Sequence, residues 1–316
     1  MYMYFLGTGA GKPSLKRNVT SIALKLPAPK NEIWLFDCGE GTQHQILASP
    51  FGLHKVTNVF ISHLHGDHIF GLPGFLGSRS FSTEATSLTI YGPPGIQDFV
   101  QISLKISGTY LRYPLEVHEV RPGDVLHLDS WTVKIGLLEH NLSSYGYRVE
   151  EPPRPGKLQV DKLAQLKIPP GPLYGRLKNC ETVILDDGRT INGSDFVGPS
   201  LPGRQIVILG DTRYCQGAVE LAQEADVLVH EATFAHALAQ SASDYGHSTT
   251  VQAARVAQQA QVKQLILTHL SSRYRPQDYG ALLAEAAQVF PSTILAEDHL
   301  CVEIPRPETR GKRNPY

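Results

Sequence analysis

The segment Ser62-His63-Leu64-His65-Gly66-Asp67-His68 constrains this chain more than any other. Three histidines and one aspartate crowd into six residues, directly after the apolar run 56–61. Neutral imidazole binds zinc well and a carboxylate supplies balancing charge, so this density points to a metal site. As the strand leaves into a Gly-containing turn, alternate side chains point to different centres: His63 and His65 to one, Asp67 and His68 to another. Four ligands are too few for two metals, so the rest have to arrive from elsewhere.

They are available at the ends of other strands. Five apolar, mostly β-branched runs stop at a potential ligand or acid. Run 56–61 stops at Ser62-His63, 131–138 at Glu139-His140, and 206–209 at Gly210-Asp211. Run 227–229 stops at His230-Glu231, and 265–267 at Thr268-His269. Such runs read as buried strands, and functional side chains of layered α/β folds gather where strands end. His140, Asp211 and His269 thereby become candidates to complete two sites. Six other histidines (44, 54, 118, 127, 236 and 299) read as structural or surface residues.

Short runs at 2–6, 19–26 and 32–37 read as further strands. Segments 217–225, 249–261 and 278–290 are rich in Ala, Leu, Gln and Glu and read as helices, the second capped by Ser248-Thr249. A strand-rich first half and strand–helix alternation in the second predict two sheets covered by helices.

From about 150 to 203 the chain turns Pro- and Gly-rich. Between 152 and 180 it carries Arg154, Lys157, Lys162, Lys167, Arg176 and Lys178 against the lone acid Asp161. This reads as a long loop or an extended arm, a feature that is often functional. The basic tail 306–316 is expected to be disordered. A net charge of −1 gives only a weak global field, so any nucleic-acid contact has to come from a local patch such as this one. Four cysteines without a CxxC pair point to reduced thiols in a cytoplasmic protein. No stretch reads as a signal peptide or a membrane span.

The histidine motif, with its downstream His, Asp and His, resembles the metallo-β-lactamase superfamily across almost the whole chain outside the Pro/Gly-rich insertion. The resemblance implies a single αββα sandwich domain over 1–316, with 150–203 as an inserted flexible arm. It also implies a two-zinc site: His63, His65 and His140 on one ion, Asp67, His68 and His269 on the other, and Asp211 bridging both.

Narrower elements are similar to the short form of the ribonuclease Z family. They are Phe5-Leu6-Gly7-Thr8-Gly9, the run SHLHGDHIFGLPGFL, Gly210-Asp211-Thr212-Arg213, His230-Glu231-Ala232-Thr233-Phe234, Gly246-His247-Ser248-Thr249 and His269-Leu270-Ser271-Ser272-Arg273-Tyr274. This likeness implies that Glu231 orients His247. The segment Pro169-Pro170-Gly171-Pro172-Leu173-Tyr174-Gly175 looks like the tip of the family's arm. That arm grips the elbow of a tRNA bound at the partner subunit, so Pro170, Gly171, Pro172 and Tyr174 become candidate contacts and a homodimer is implied. Loop Pro13-Ser14-Leu15-Lys16-Arg17-Asn18 resembles the family loop that contacts the tRNA 3′ end, with Leu15 where lysine is usual, making Lys16, Arg17 and Asn18 candidates. Arg273 is placed to neutralise phosphate charge.

The expected reaction is removal of the 3′ trailer from precursor tRNA, leaving a 3′-OH and a 5′ phosphate, with Asp67 accepting a proton. A small-molecule phosphodiesterase or other hydrolase on the same fold shares all seven ligands. It leaves the basic arm and the 13–18 loop without a role.

Overall fold

The computed structural model describes residues 1–82 and 86–306. The tail expected to be disordered lies, from 307 on, outside the described residues. The chain forms two compact units: Met1–Val149 with Gln205–Pro305, and Glu150–Arg204 with Arg306.

The first unit is built on two seven-stranded sheets. One runs Cys301–Glu303, Tyr2–Gly7, Ser21–Lys25, Ile33–Phe36, Val56–Phe60, Leu88–Gly92, Leu115–Glu119. The other runs Thr293–Leu295, Leu265–Thr268, Val227–Glu231, Gln205–Leu209, Ser144–Glu150, Trp131–Leu138, Val125–Leu128. Within each, a block of parallel strands directs its carboxyl ends the same way.

Side-chain alternation explains the layering. In Gln205–Leu209, Ile206 and Ile208 belong to the core between the sheets, where they meet Trp34, Phe60 and Tyr147. Val207 and Leu209 face the opposite way, onto a second core with Ala253, Ala254 and Ala257 of the helix Thr250–Gln259. A third core packs Leu72, Phe75 and Leu76 against Val59, Ile61 and Ile90 of the first sheet. Strands buried on both faces cannot alternate polar with apolar, which is why they read as unbroken hydrophobic runs. The result is four layers: helix, sheet, sheet, helix. The helix Thr250–Gln259 starts at a capping box. The Thr249 hydroxyl accepts from the Gln252 N–H at 3.2 Å, and the Gln252 side chain accepts from the Thr249 N–H at 2.9 Å.

Aromatic rings knit the two sheets together. Trp34 meets Trp131 edge-on at 5.7 Å, and Phe60 lies 5.3 Å from Tyr147. The Tyr147 hydroxyl donates to the carbonyl of Ile61 at 2.6 Å, tying one sheet to the strand end that launches the histidine motif. That motif loop also rests on the turn after Ile33–Phe36, where the Cys38 N–H donates to the His68 carbonyl at 2.8 Å. Gly39 is required here: a Cβ at this position would lie 2.3 Å from the Asp67 carbonyl oxygen.

The second unit is not a structureless loop. It holds the helices Val160–Gln165 and Pro172–Lys178 and the antiparallel pair Thr182–Ile184 and Thr190–Asn192. Leu163, Ile168, Leu177, Val183 and Ile191 form its small core. Glu151 and Arg204 close its neck. The Arg204 guanidinium donates to both Glu151 carboxylate oxygens, at 2.6 and 2.7 Å, and the Glu151 N–H donates to the Arg204 carbonyl at 2.8 Å. Burial raises the Glu151 pKa, but the Arg204 hydrogen bonds and charge more than offset this, and the net shift is downward. A depressed folded-state pKa contributes stability above the ordinary carboxylate range and loses it as pH falls through the folded value. Glu151→Gln is therefore expected to speed amide hydrogen exchange across 150–204 at pH 7. The difference from the unsubstituted chain should shrink on acidification below pH 4.

Candidate metal centre

All seven predicted ligands meet at the carboxyl ends of the parallel strands. His63, His65, His140 and Asp211 form one grouping of potential ligand atoms, and Asp67, His68 and His269 another beside it. Among the described residues, no such grouping includes His44, His54, His118, His127, His236 or His299.

Outer hydrogen bonds fix which nitrogen of each ring carries a proton. His140 Nδ1 lies 2.7 Å from the Gly246 carbonyl, which can only accept, so Nδ1 donates and Nε2 keeps its lone pair. The Thr233 hydroxyl donates its one proton to Glu231 at 2.7 Å, so it accepts from His269 Nδ1 at 2.8 Å. The Ser62 hydroxyl likewise donates to Asp37 at 2.8 Å and accepts from His63 Nδ1 at 3.0 Å. His68 Nδ1 donates to Asp37 at 2.7 Å. Four imidazoles thus aim Nε2 inward. His65 turns its Nδ1 inward instead.

The inward atoms match a pair of cation sites. His65 Nδ1 lies 3.0 Å from His63 Nε2 and 3.1 Å from His140 Nε2. A single Asp211 oxygen, Oδ2, lies 3.6, 3.5 and 3.4 Å from the Nε2 atoms of His63, His68 and His269. Asp67 Oδ2 lies 3.6 and 3.4 Å from His68 and His269 Nε2. Ligand atoms about 2.0–2.1 Å from one zinc stand roughly 3.3–3.4 Å apart at the tetrahedral angle. His68 Nε2 is buried and makes no hydrogen bond. A buried lone pair without a donor is costly, and so are three ring nitrogens turned on one another. Cations remove both penalties.

Electrostatics divide the rings. Burial holds His63, His65 and His140 below the usual histidine range and keeps them neutral, whereas at His68 the same effect of burial is outweighed by Asp211 and Asp37, which hold it well above that range. Burial acts to neutralise Asp211, yet the imidazoles of His269, His68 and His63 hold it well below the carboxylate range. Asp67 is also held low, by the His269 hydrogen bond and the His68 charge against the opposing effect of burial. Its Oδ2 additionally accepts from the Gly11 N–H at 2.7 Å.

Glu231 is 1% exposed and fully satisfied. It accepts from His247 Nδ1 at 2.9 Å, from the N–H groups of Ser248, Thr212 and Thr233, and from the Thr233 hydroxyl. Burial lowers the His247 pKa, but Glu231 outweighs this and pushes it up to about 9. The expected pairing of Glu231 with His247 is thus present as a hydrogen-bonded ion pair.

The cavity over the cluster, about 460 Å³, is lined by Asp67, His140, Asp211, His247 and His269, and also by Phe234, Tyr245 and Arg273. Arg273 stacks its guanidinium 4.7 Å from the Phe234 ring, and its Nε donates to Ser271. The other predicted contacts lie as follows. Arg17 is 5% exposed, and its guanidinium is committed to Thr8, the Ala296 carbonyl and Tyr279. The Asn18 carboxamide donates to the Glu40 carbonyl. These two side chains brace the 13–18 loop instead of facing outward, whereas Lys16 is exposed. Tyr174 is half-buried, and its hydroxyl donates to the Ile168 carbonyl, so it is part of its unit's own packing. Pro170, Gly171 and Pro172 are exposed.

Asp37 was missed by the sequence reading, although the apolar run 32–37 ends on it as other runs end on ligands. It orients His68 and, through Ser62, His63. Asp37 (φ 57°) and His269 (φ 58°) both adopt the left-handed region, uncommon for such residues and concentrated at functional sites.

The four-layer sandwich and its paired ligand sets define a protein of the metallo-β-lactamase superfamily. Residues 176–270 match the beta-lactamase superfamily domain, and residues 1–148 match the anti-Pycsar protein Apyc1 family. The chain is 52% identical to ribonuclease Z of Geobacillus kaustophilus (strain HTA426), over 97% of its own length and 100% of that relative's. It is 53% identical to ribonuclease Z of Lactiplantibacillus plantarum (strain ATCC BAA-793 / NCIMB 8826 / WCFS1), over 98% and 99%. The crystal structure of human tRNase Z, short form, superposes with a TM-score of 0.68 at 31% identity, covering 96% of this chain and all of that one. The chain belongs to the ribonuclease Z family.

Outer partners of metal-binding histidines set ligand orientation and basicity. Asp37→Ala is expected to weaken zinc binding about 10- to 100-fold in a competitive chelator titration, with the far-UV circular dichroism unchanged.

Proposed function

We propose that this chain is a zinc-dependent endoribonuclease that cuts the 3′ trailer from precursor tRNA. It leaves a 3′-OH on the tRNA and a 5′ phosphate on the trailer. The observation that carries the reading is the set of groups in one cavity: two convergent ligand sets sharing Asp211 Oδ2, the Glu231–His247 pair, and Arg273. His63, His65, His140 and Asp211 would hold one zinc, and Asp67, His68, His269 and Asp211 the other. When bound, two such ions would neutralise charge on a phosphodiester and lower the pKa of water, so that hydroxide is available as the nucleophile near neutral pH.

The chain's own groups supply the rest. Asp67 stays ionised and accepts the proton of the attacking water. His247, kept protonated at neutral pH by Glu231, donates to the developing negative charge or to the leaving 3′ oxygen. Arg273 keeps its Nη groups for a phosphate oxygen. Leu15 is fully exposed where the family loop has a lysine, and Lys16 beside it offers its charge one residue later.

The unit Glu150–Arg204 is read as the tRNA-binding arm, acting across a homodimer on substrate held by the partner subunit. Support comes from a cavity of about 700 Å³ within this unit. It is lined by Arg154, Lys157, Lys178 and Arg306 and by no carboxylate, and the Arg154 Nε is buried without a partner. Lysines and arginines of this kind give sequence-independent phosphate affinity, and folded RNA is read largely by shape. No helix among the described residues is long and apolar enough to cross a membrane, and all four cysteines are free thiols, as suits work in the cytoplasm.

Deleting 152–195 is expected to spare hydrolysis of bis-p-nitrophenyl phosphate and abolish precursor-tRNA cleavage. Equal loss of both activities would show that the segment only supports the fold.

A further inference from the structure

One aromatic side chain in the cavity has no part in the chemistry above. Tyr245 lies 63% exposed in the same cavity as the ligand cluster, an unusual place for a large ring. It is not loosely placed. Its ring is near-parallel to that of Phe234, 13° between planes and 6.4 Å between centroids. Phe234 is 4% exposed and carries the Arg273 guanidinium. The backbone beneath is pinned to the metal centre. The Asn141 carboxamide donates to the Tyr245 carbonyl at 3.1 Å, His140 Nδ1 donates to the next carbonyl, that of Gly246, and His247 follows. Gly246 adopts φ 83°, which ends the helix Ala239–Tyr245 and sets the ring at its last position.

We infer that Tyr245 is a stacking platform for the nucleobase of one of the two nucleotides flanking the scissile phosphate. The inference rests on the RNA-cleaving reading of the site. A phosphodiester held at the ligand cluster has a nucleoside on each side. The cavity presents an aromatic face next to the ligands, while Arg273 is available to a phosphate. Base–aromatic stacking tolerates every base, because each has a π face. Tyr245 therefore positions the strand without reading its sequence. It touches the substrate's base but moves no proton, so its contribution falls on substrate binding and alignment, not on bond cleavage.

The test uses the full-length, zinc-loaded protein and three precursor tRNAs: unmodified, abasic just before the cut, and abasic just after it. Cleavage of the unmodified RNA by the unsubstituted protein checks the RNA reading itself. If that fails, the function proposed above falls and the platform with it. Tyr245→Ala is expected to lower kcat/KM on unmodified RNA about tenfold or more, chiefly through KM, with zinc content unchanged. Tyr245→Phe keeps the ring and is expected to stay within about twofold of the unsubstituted protein. On one of the two abasic RNAs, the Tyr245→Ala loss is expected to disappear. A loss that persists undiminished on both abasic RNAs overturns the inference. So does Tyr245→Ala cutting unmodified RNA normally, or Tyr245→Phe losing as much as Tyr245→Ala, which would assign the effect to the hydroxyl.

Discussion

Five inward-facing ring nitrogens and two carboxylates converge on one small, largely buried space, where cations would relieve their crowding. His68 Nε2 is buried and unpartnered, and Asp211 turns one oxygen to three imidazoles. In a low-dielectric pocket such lone pairs repel, and each unpaired polar atom carries the full penalty of lost hydration. A pair of cations resolves every one of these contacts at once. The outer hydrogen bonds on Nδ1 of His63, His68, His140 and His269 leave Nε2 of each ring turned toward the cluster, an arrangement that suits metal binding.

The fold exists in the form needed to bring these groups together. The parallel strands Ile33–Phe36, Val56–Phe60, Gln205–Leu209, Val227–Glu231 and Leu265–Thr268 end at Asp37, the histidine motif, Asp211, Glu231 and His269, and the end of Trp131–Leu138 adds His140. The aromatic core between the sheets, with Trp34 against Trp131 and Tyr147 bonded to the Ile61 carbonyl, keeps those ends in register. The ion-paired Glu231 links the two layers of function. Its oxygens hold His247 charged and engage Thr233, which in turn sets the His269 tautomer. A change at Glu231 therefore reaches both His247, the proposed proton donor, and His269, a proposed metal ligand.

The residue cluster was legible in the sequence because its members sit at the ends of hydrophobic runs, where strand periodicity and ligand chemistry coincide. The seven candidate ligands and the Glu231–His247 pair, which the structure brings together, were named from that coincidence and the family likeness. Asp37 follows the same rule at the end of 32–37, but a lone aspartate carries no motif of its own. The packing of Arg17 and Asn18 was not legible, for a different reason. A basic residue in a loop motif looks outward in sequence, and only packing reveals that Thr8, Ala296 and Tyr279 surround this guanidinium. In 150–204, Leu163, Ile168, Leu177, Val183 and Ile191 are spread thinly among prolines, glycines and charges. Their spacing therefore gave no periodic signal of the small core they form.

The central claim is that two cations occupy the adjoining ligand sets joined by Asp211. Anomalous diffraction at the zinc edge, on crystals of the purified chain, tests it most directly. The account predicts two anomalous peaks per chain, one among His63, His65, His140 and Asp211, the other among Asp67, His68, His269 and Asp211. A single peak away from these residues, or no peak in a preparation that cuts precursor tRNA at full rate, would contradict it.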